Sequence, residues 1–448
     1  MILVSPPVTD FALFDLFIRP YGLLRLGRAF VNAGYRIALL DCLDPSDPAS
    51  RRALGAPRRK PNGTGKLFRQ PMAKPGPLAD APRRYYRYGM LEESAAARLR
   101  RLCPPSGRRP DLLLVSTGMT YWYPGAQEAC RLVRRLFPGV PLAVGGIYAT
   151  LCPEHCRAAL EPDYVVPGEA LPKLNRILRS LSLPELADGL SENPLPLPEV
   201  FSQAAVIRLN RGCPFRCGYC ASGVLSGGFF PGDPDDLFGV IAGIHGELGT
   251  RNFAFYDDAL LAGKEAGFLP LLERLADAEM ALSFFLPNAL HLAGIDERTA
   301  RLMKRTGFRE VRLGFESSDE AFHRRTGGKL EVDMLEGGVD ALRAAGFAGQ
   351  EITAYVLAGL PGQAWQEVEA SVRFAAALGI RVSVAEYSPV PGTGLWPESL
   401  RRSRYPLEEP LTHNNSILPL QWEGFTPADL QHLKDLARAT RKRRDSGR

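Results

Sequence analysis

Short apolar runs alternate with stretches of helical periodicity along most of this chain. MILVSPP (1–7) and YRIALLD (35–41) are strand-like; between them YGLLRLGRAFVNAG sets its apolar residues at helical spacing and stops at Gly34. That order predicts a helix crossing between parallel strands. A helical patch at Glu92–Leu102 is followed by DLLLVST, AQEACRLVRRLF, PLAVGG, PEHCRAALEP, DYVVPGE and LPKLNRILRSL, again strand and helix in turn. Residues 1–186 are therefore expected to form an α/β doubly wound domain. Residues 45–84, rich in Pro, Arg, Lys and Gly and without a period, are expected to be an extended insertion. Ligands of such sheets lie beyond the carboxyl ends of the strands, where Ser5, Ser116, Thr117, Gly145 and Gly146 fall.

Residues 187–205 are polar and proline-rich and predict a linker. From 206 to about 400 the alternation resumes, with strands expected at VIRLN, NFAFYDDAL, LSFFLPNAL, EVRLGFES, EITAYVLAGLPG and RVSVAEYSPVPGT. Their helices are expected at 236–248, 267–278, 297–306, 332–345 and 364–378. Six strand–helix units, instead of eight, predict a partial, laterally open (β/α)6 barrel. Its strand ends carry Asp257, Asp258, Asn288, His291, Glu316, Ser317, Gly359 to Gly362, Glu386 and Tyr387, all expected to face one mouth. Residues 401–448 predict a cap and a C-terminal helix with Thr426 as N-cap and Leu430, Leu433 and Leu436 on its apolar face.

Composition narrows the class without naming a reaction. Apolar residues are 45% and charged residues 23% of the 448, as in a globular protein, and no apolar run is long enough for a membrane span. The first residues lack a signal-peptide pattern, so a cytoplasmic location is expected. The net charge of +6 comes from basic runs at 51–60, 98–109 and 434–448, read as solvated faces, which disfavours nucleic acid as a partner. Five cysteines (Cys42, Cys103, Cys130, Cys152 and Cys156) form no disulfide framework, and Cys152 and Cys156 are read as packing residues on one helical turn.

The remaining cysteines lie together in RLNRGCPFRCGYCAS, where Cys213, Cys217 and Cys220 have the spacing Cys-x3-Cys-x2-Cys. Gly212, Pro214 and Gly218 keep the loop tight enough for three thiolates to converge. Soft thiolates select zinc, cuprous copper or iron–sulfur clusters. No Cys or His follows before His245, so one metal position is expected to stay open for chemistry.

With Tyr219 before its last cysteine, this loop resembles that of the radical S-adenosylmethionine (radical SAM) enzymes. The resemblance implies a [4Fe–4S] cluster on the three cysteines, S-adenosylmethionine on the open iron, and a 5′-deoxyadenosyl radical that abstracts hydrogen. It implies that Glu316 in GFES bonds the ribose and that Gly359 and Gly362 of GLPG lie near the adenine. It places Asp257 where other members carry a glycine-rich motif for the methionine amine, a motif from which this chain departs. Asp257 and Tyr387 are the candidate catalytic residues, Tyr387 as a radical or proton partner. An electron donor such as a flavodoxin or ferredoxin is the implied protein partner.

The N-terminal block resembles the cobalamin-binding Rossmann-like domain of one large radical SAM subfamily, through Gly145–Gly146 in VGGIYAT and the step Gly168–Glu169. The Asp-x-His-x-x-Gly cobalt-ligating signature is absent; the first histidine is His155. Together these resemblances imply cobalamin-dependent methylation of an unactivated carbon, on a small-molecule or peptide substrate held between the domains. Two alternatives stay open: a non-methylating rearrangement or cyclisation, and a zinc-stabilised binding protein. RNA methylthiolation is disfavoured because the N-terminal half has no second three-cysteine set.

Overall fold

The computed structural model describes residues 1–103, 107–187, 189–327, 333–420 and 422–445, and it divides into two compact units. One comprises residues 1–206 with 248–250 and 408–412; the other comprises 207–247, 251–407 and 413–448.

In the first unit the strands are β1 (Ile2–Ser5), β2 (Val8–Asp10), β3 (Ala38–Asp41), β4 (Arg69–Met72), β5 (Tyr85–Tyr88), β6 (Leu113–Thr117), β7 (Leu142–Gly146) and β8 (Tyr164–Val166). Five of them form a parallel sheet in the order β3-β1-β6-β7-β8, which is doubly wound. Ile2, Val4, Leu40, Leu113, Val115, Leu142 and Val144 are buried as a continuous apolar layer, the reason these strands read as unbroken hydrophobic runs. The helix Tyr123–Leu136 closes one face with Ala126, Ala129, Leu132 and Val133, the last two lying three and four residues after Ala129.

Residues 45–84 are more regular than their composition suggests. Asp47 accepts from Ser50 N–H at 2.7 Å and caps the helix Pro48–Leu54. Strand β4 then pairs with β5, and β5 with β2, in an antiparallel sheet ordered β2-β5-β4. The strand escaped pattern reading because β4 is a largely exposed edge, RQPM, with Pro71 in it.

In the second unit the strands are β9 (Ala205–Ile207, beginning just before the division), β10 (Asn252–Phe255), β11 (Ser283–Phe285), β12 (Val311–Glu316), β13 (Ile352–Ala358) and β14 (Arg381–Glu386). They pair as two triplets, β9-β10-β11 and β12-β13-β14. Leu290 stitches the triplets, its N–H donating to Arg312 C=O at 2.7 Å and its C=O accepting from Gly314 N–H at 2.9 Å. The result is a six-strand array with β9 and β14 as edges, not a closed ring. Phe253 and Phe255, two residues apart on β10, share a face with Phe284 and Phe308; Phe255 stacks on Phe308 at 5.8 Å.

The helix Asp333–Ala344 follows β12, and the expected first residue, Val332, lies outside the described residues. The C-terminal helix Pro427–Asp445 lies against β14 and the helix Trp365–Ala377, burying Leu430, Leu433 and Ala437. It covers one edge of the array, and Lys434 pairs there with Glu386. Among the described residues no helix is long and apolar enough to cross a membrane.

Candidate active site

The cysteine loop leaves the carboxyl end of β9 and is fixed before its first cysteine. Asp257, buried past the end of β10, accepts from Leu209 N–H at 3.1 Å and Asn210 N–H at 2.6 Å. Burial raises its pKa to about 7 despite those two donors. Asn210 in turn donates to Leu260 C=O at 3.2 Å and accepts from Gly232 N–H at 3.3 Å. Arg211 and Phe230 exchange backbone hydrogen bonds at 2.9 and 2.8 Å, with the guanidinium 3.8 Å from the ring centroid. Gly212 has φ +76°, and a Cβ there would lie 1.9 Å from Gly228 O, so only glycine fits.

Within the loop, Cys220 N–H donates to Cys217 C=O at 3.0 Å. Gly218 is held on both sides: its N–H donates to Thr326 C=O, and its C=O accepts from Leu395 N–H, each at 2.8 Å. Every sulfur has a hydrogen-bonding neighbour. Phe215 N–H faces Cys213, the Tyr219 hydroxyl bonds to Cys217, and Ser222 N–H lies 3.5 Å from Cys220 Sγ. Phe215 also stacks on His291, with centroids 4.2 Å apart. Burial pushes the Cys213 thiol up, helped by the neighbouring Cys220 and Cys217. Among the described residues no three His, Cys, Asp or Glu side chains converge on a single-ion position.

Glu316 ends β12 at a register shift, in the left-handed region with φ +70°, a conformation a non-glycine residue adopts at a cost of about 1–3 kcal/mol. Its carboxylate charge helps to raise the Tyr219 phenol, after burial itself. The GLPG turn has φ +87° at Gly359 and +74° at Gly362. It is braced by buried Gln363, whose Oε1 accepts from Gly359 N–H at 2.9 Å and Leu360 N–H at 3.3 Å.

Two expected mouth residues already have partners. Glu386 is held by Lys434, and the Tyr387 hydroxyl lies 3.1 Å from Ser399 Oγ, its ring packed with Phe322, Leu360 and Leu420. Burial raises the Tyr387 phenol. Asn210, Ser222 and Gln363 escape the sequence pattern, since lone polar residues in loops carry no periodic signal.

Residues 207–375 match the family model of the Radical SAM superfamily. They are a radical SAM enzyme domain. A curated uncharacterised methyltransferase from Pyrococcus horikoshii is 22% identical over 71% of this chain and 73% of its own length. An anaerobic magnesium-protoporphyrin IX monomethyl ester cyclase from Synechocystis is 23% identical over 70% of this chain and 60% of its own. Among solved structures, the radical SAM methyltransferase TsrM from Kitasatospora setae, with cobalamin and a [4Fe–4S] cluster bound, superposes with TM-score 0.64. It is 15% identical and covers 89% of this chain and 74% of that one, a likeness of fold.

The first unit has its own strand-end rim. Gly146 is exposed with φ +104°, and a Cβ there would lie 2.3 Å from Thr117 O; one at Gly145 would lie 3.2 Å from Val166 O. Thr150 donates to Gly146 C=O at 2.7 Å and accepts from Gly168 N–H at 2.8 Å, which joins the two glycine turns. Ser116 is half-buried beside them, and Thr117 Oγ1 donates to Gly145 C=O at 2.8 Å. His155 Nδ1 is bound to the Tyr148 hydroxyl at 2.5 Å.

Proposed function

We propose that this radical SAM enzyme is a cobalamin-dependent methyltransferase acting on an unactivated carbon of a small organic substrate. The observation that carries the reading is the short loop presenting three hydrogen-bonded sulfurs at a strand's carboxyl end. Three soft donors fit an iron–sulfur cluster, and the loop adds no fourth Cys or His. When bound, the cluster with S-adenosylmethionine supplies hydrogen abstraction, and cobalamin supplies the transferred methyl group.

Cys213, Cys217 and Cys220 would hold the cluster. Glu316, at the carboxyl end of β12 in a left-handed backbone conformation, would accept from the ribose hydroxyls. Gly359 and Gly362 would let the adenine approach the backbone, with Gln363 holding the turn. Asp257 fixes the loop through its backbone and acts by position, not by touching substrate. The exposed backbone at Gly146, with Gly145 and Ser116, fits a cofactor tail lying over the sheet rim. A flavodoxin or ferredoxin would deliver the electron in a reducing cytoplasm.

The cyclase relative favours one second reading, ring formation without methyl transfer. Oxygen-free reconstitution with iron, sulfide and cobalamin, followed by reaction with S-adenosylmethionine, separates the two. The methylating reading expects a corrinoid spectrum and S-adenosylhomocysteine. Deoxyadenosine without corrinoid uptake would move the assignment to cyclisation, and zinc in place of iron would remove both.

A further inference from the structure

Beyond the three cysteines, one polar residue of the loop is built around a sulfur and has no role so far. Ser222 has its backbone N–H 3.5 Å and its Oγ 3.3 Å from Cys220 Sγ. The same hydroxyl is hydrogen-bonded to the carboxylate of Asp258, just past β10. The backbone is anchored independently: Ser222 C=O accepts from Ser226 Oγ at 2.5 Å, inside the helical turn Ser222–Ser226. Loss of the hydroxyl therefore leaves the main-chain donor to Cys220 in place.

A metal-bound Cys220 sulfur carries no proton and can only accept. The single Ser222 hydroxyl proton then has two acceptors, a carboxylate oxygen of Asp258 and the Cys220 sulfur. Hydrogen bonds to the sulfurs are among the features that set an iron–sulfur cluster's reduction potential, because they stabilise the more negative reduced form. Asp258 acts in the opposite sense, since it competes for the proton and adds negative charge near Cys213 and Cys220. It is exposed, so solvent screens its direct field.

We infer that Ser222 is a positioning residue for cluster reduction: its hydroxyl, shared with Asp258, turns to the Cys220 sulfur and raises the potential at which the cluster accepts its electron. The step moves one electron from an external low-potential reductant; no bond to the cluster is broken, and the proton stays on Ser222 Oγ. The inference rests on the cluster assignment above.

The test is an EPR-monitored titration with dithionite of reconstituted wild-type protein and three variants, with iron counted in each. Ser222→Ala should lower the reduced-to-oxidised ratio at fixed potential about tenfold, equivalent to about 59 mV for a one-electron couple. Ser222→Thr, which keeps the hydroxyl, should restore the wild-type midpoint, and Asp258→Asn should raise the ratio about threefold. A Ser222→Ala midpoint equal to wild type overturns the inference while leaving the cluster assignment intact. Loss of iron in Ser222→Ala also overturns it, by making the serine an assembly residue. A wild-type protein that takes up no iron defeats the cluster assignment itself.

Discussion

The carboxyl ends of β6 and β7 and those of β9 and β12 occupy the same topological place in two parallel arrays but are finished with different materials. In the first unit the rim is backbone: Gly145, Gly146 and Gly168, laced by Thr117 and Thr150 hydroxyls. In the second it is side chains, thiols at Cys213, Cys217 and Cys220 and a carboxylate at Glu316, held by buried polar braces. A backbone rim admits an extended ligand along its length. A side-chain rim offers sulfur donors to a metal and a carboxylate acceptor to the hydroxyls of a sugar. One fold rule, ligands beyond the carboxyl ends, is thus met by two kinds of surface.

The largest expected effect breaks the second rim. Cys217→Ala should cut bound iron and deoxyadenosine formation about a hundredfold or more, since even outer-shell partners of metal sites are worth 10- to 100-fold. The melting temperature should stay within a few degrees; iron retained at the wild-type level would refute the ligand assignment. In the first rim, Gly146→Val should cost about 2–4 kcal/mol of stability, because a side chain there meets Thr117 and φ is +104°. Calorimetry showing an unchanged transition would contradict that steric account. Ser116→Ala, free of that clash, isolates corrinoid uptake from folding.

Asp257→Asn should cost about 1–3 kcal/mol, since an amide cannot accept from both Leu209 and Asn210 N–H without turning a donor toward one of them. The wild type also carries a pH signature. The folded pKa of about 7 lies above the ordinary 3.8, so the folded protein holds an extra proton between about pH 4 and 7. Stability should fall as pH rises through that window and level off above it. In Asp257→Asn the slope should be shallower, which denaturant titrations at pH 5 and 7.5 would show.

Glu316→Gln should raise the KM for S-adenosylmethionine about tenfold, roughly 1.4 kcal/mol, with little change in melting temperature. An unchanged KM would remove the ribose contact. Smallest is Tyr387→Phe, which removes the bond to Ser399 and should cost about 1 kcal/mol while turnover stays within about twofold. A collapse of turnover would return Tyr387 to the chemistry.

The alternation of strand and helix was legible because buried parallel strands are largely apolar runs, as in DLLLVST. The three cysteines were legible because their partners are local. Strand β4 was not, since an exposed edge strand with Pro71 has no apolar period. Glu386 and Tyr387 sit at a strand end as the pattern required. Which way they are used depends on Lys434 and Ser399, contributed by later helices.

By itself the sequence determined the order of elements, the doubly wound and partial-barrel classes, and the three-thiol loop, because periodicity and short spacing are written in neighbouring residues. Only the tertiary structure decided that Asp257 is spent on backbone amides, that Glu316 is held in a left-handed conformation at the end of β12, and that Ser222 and Asp258 meet at Cys220. Those outcomes depend on pairings between residues far apart in the chain. Burial and hydrogen-bond competition settle them only once the strands are in register.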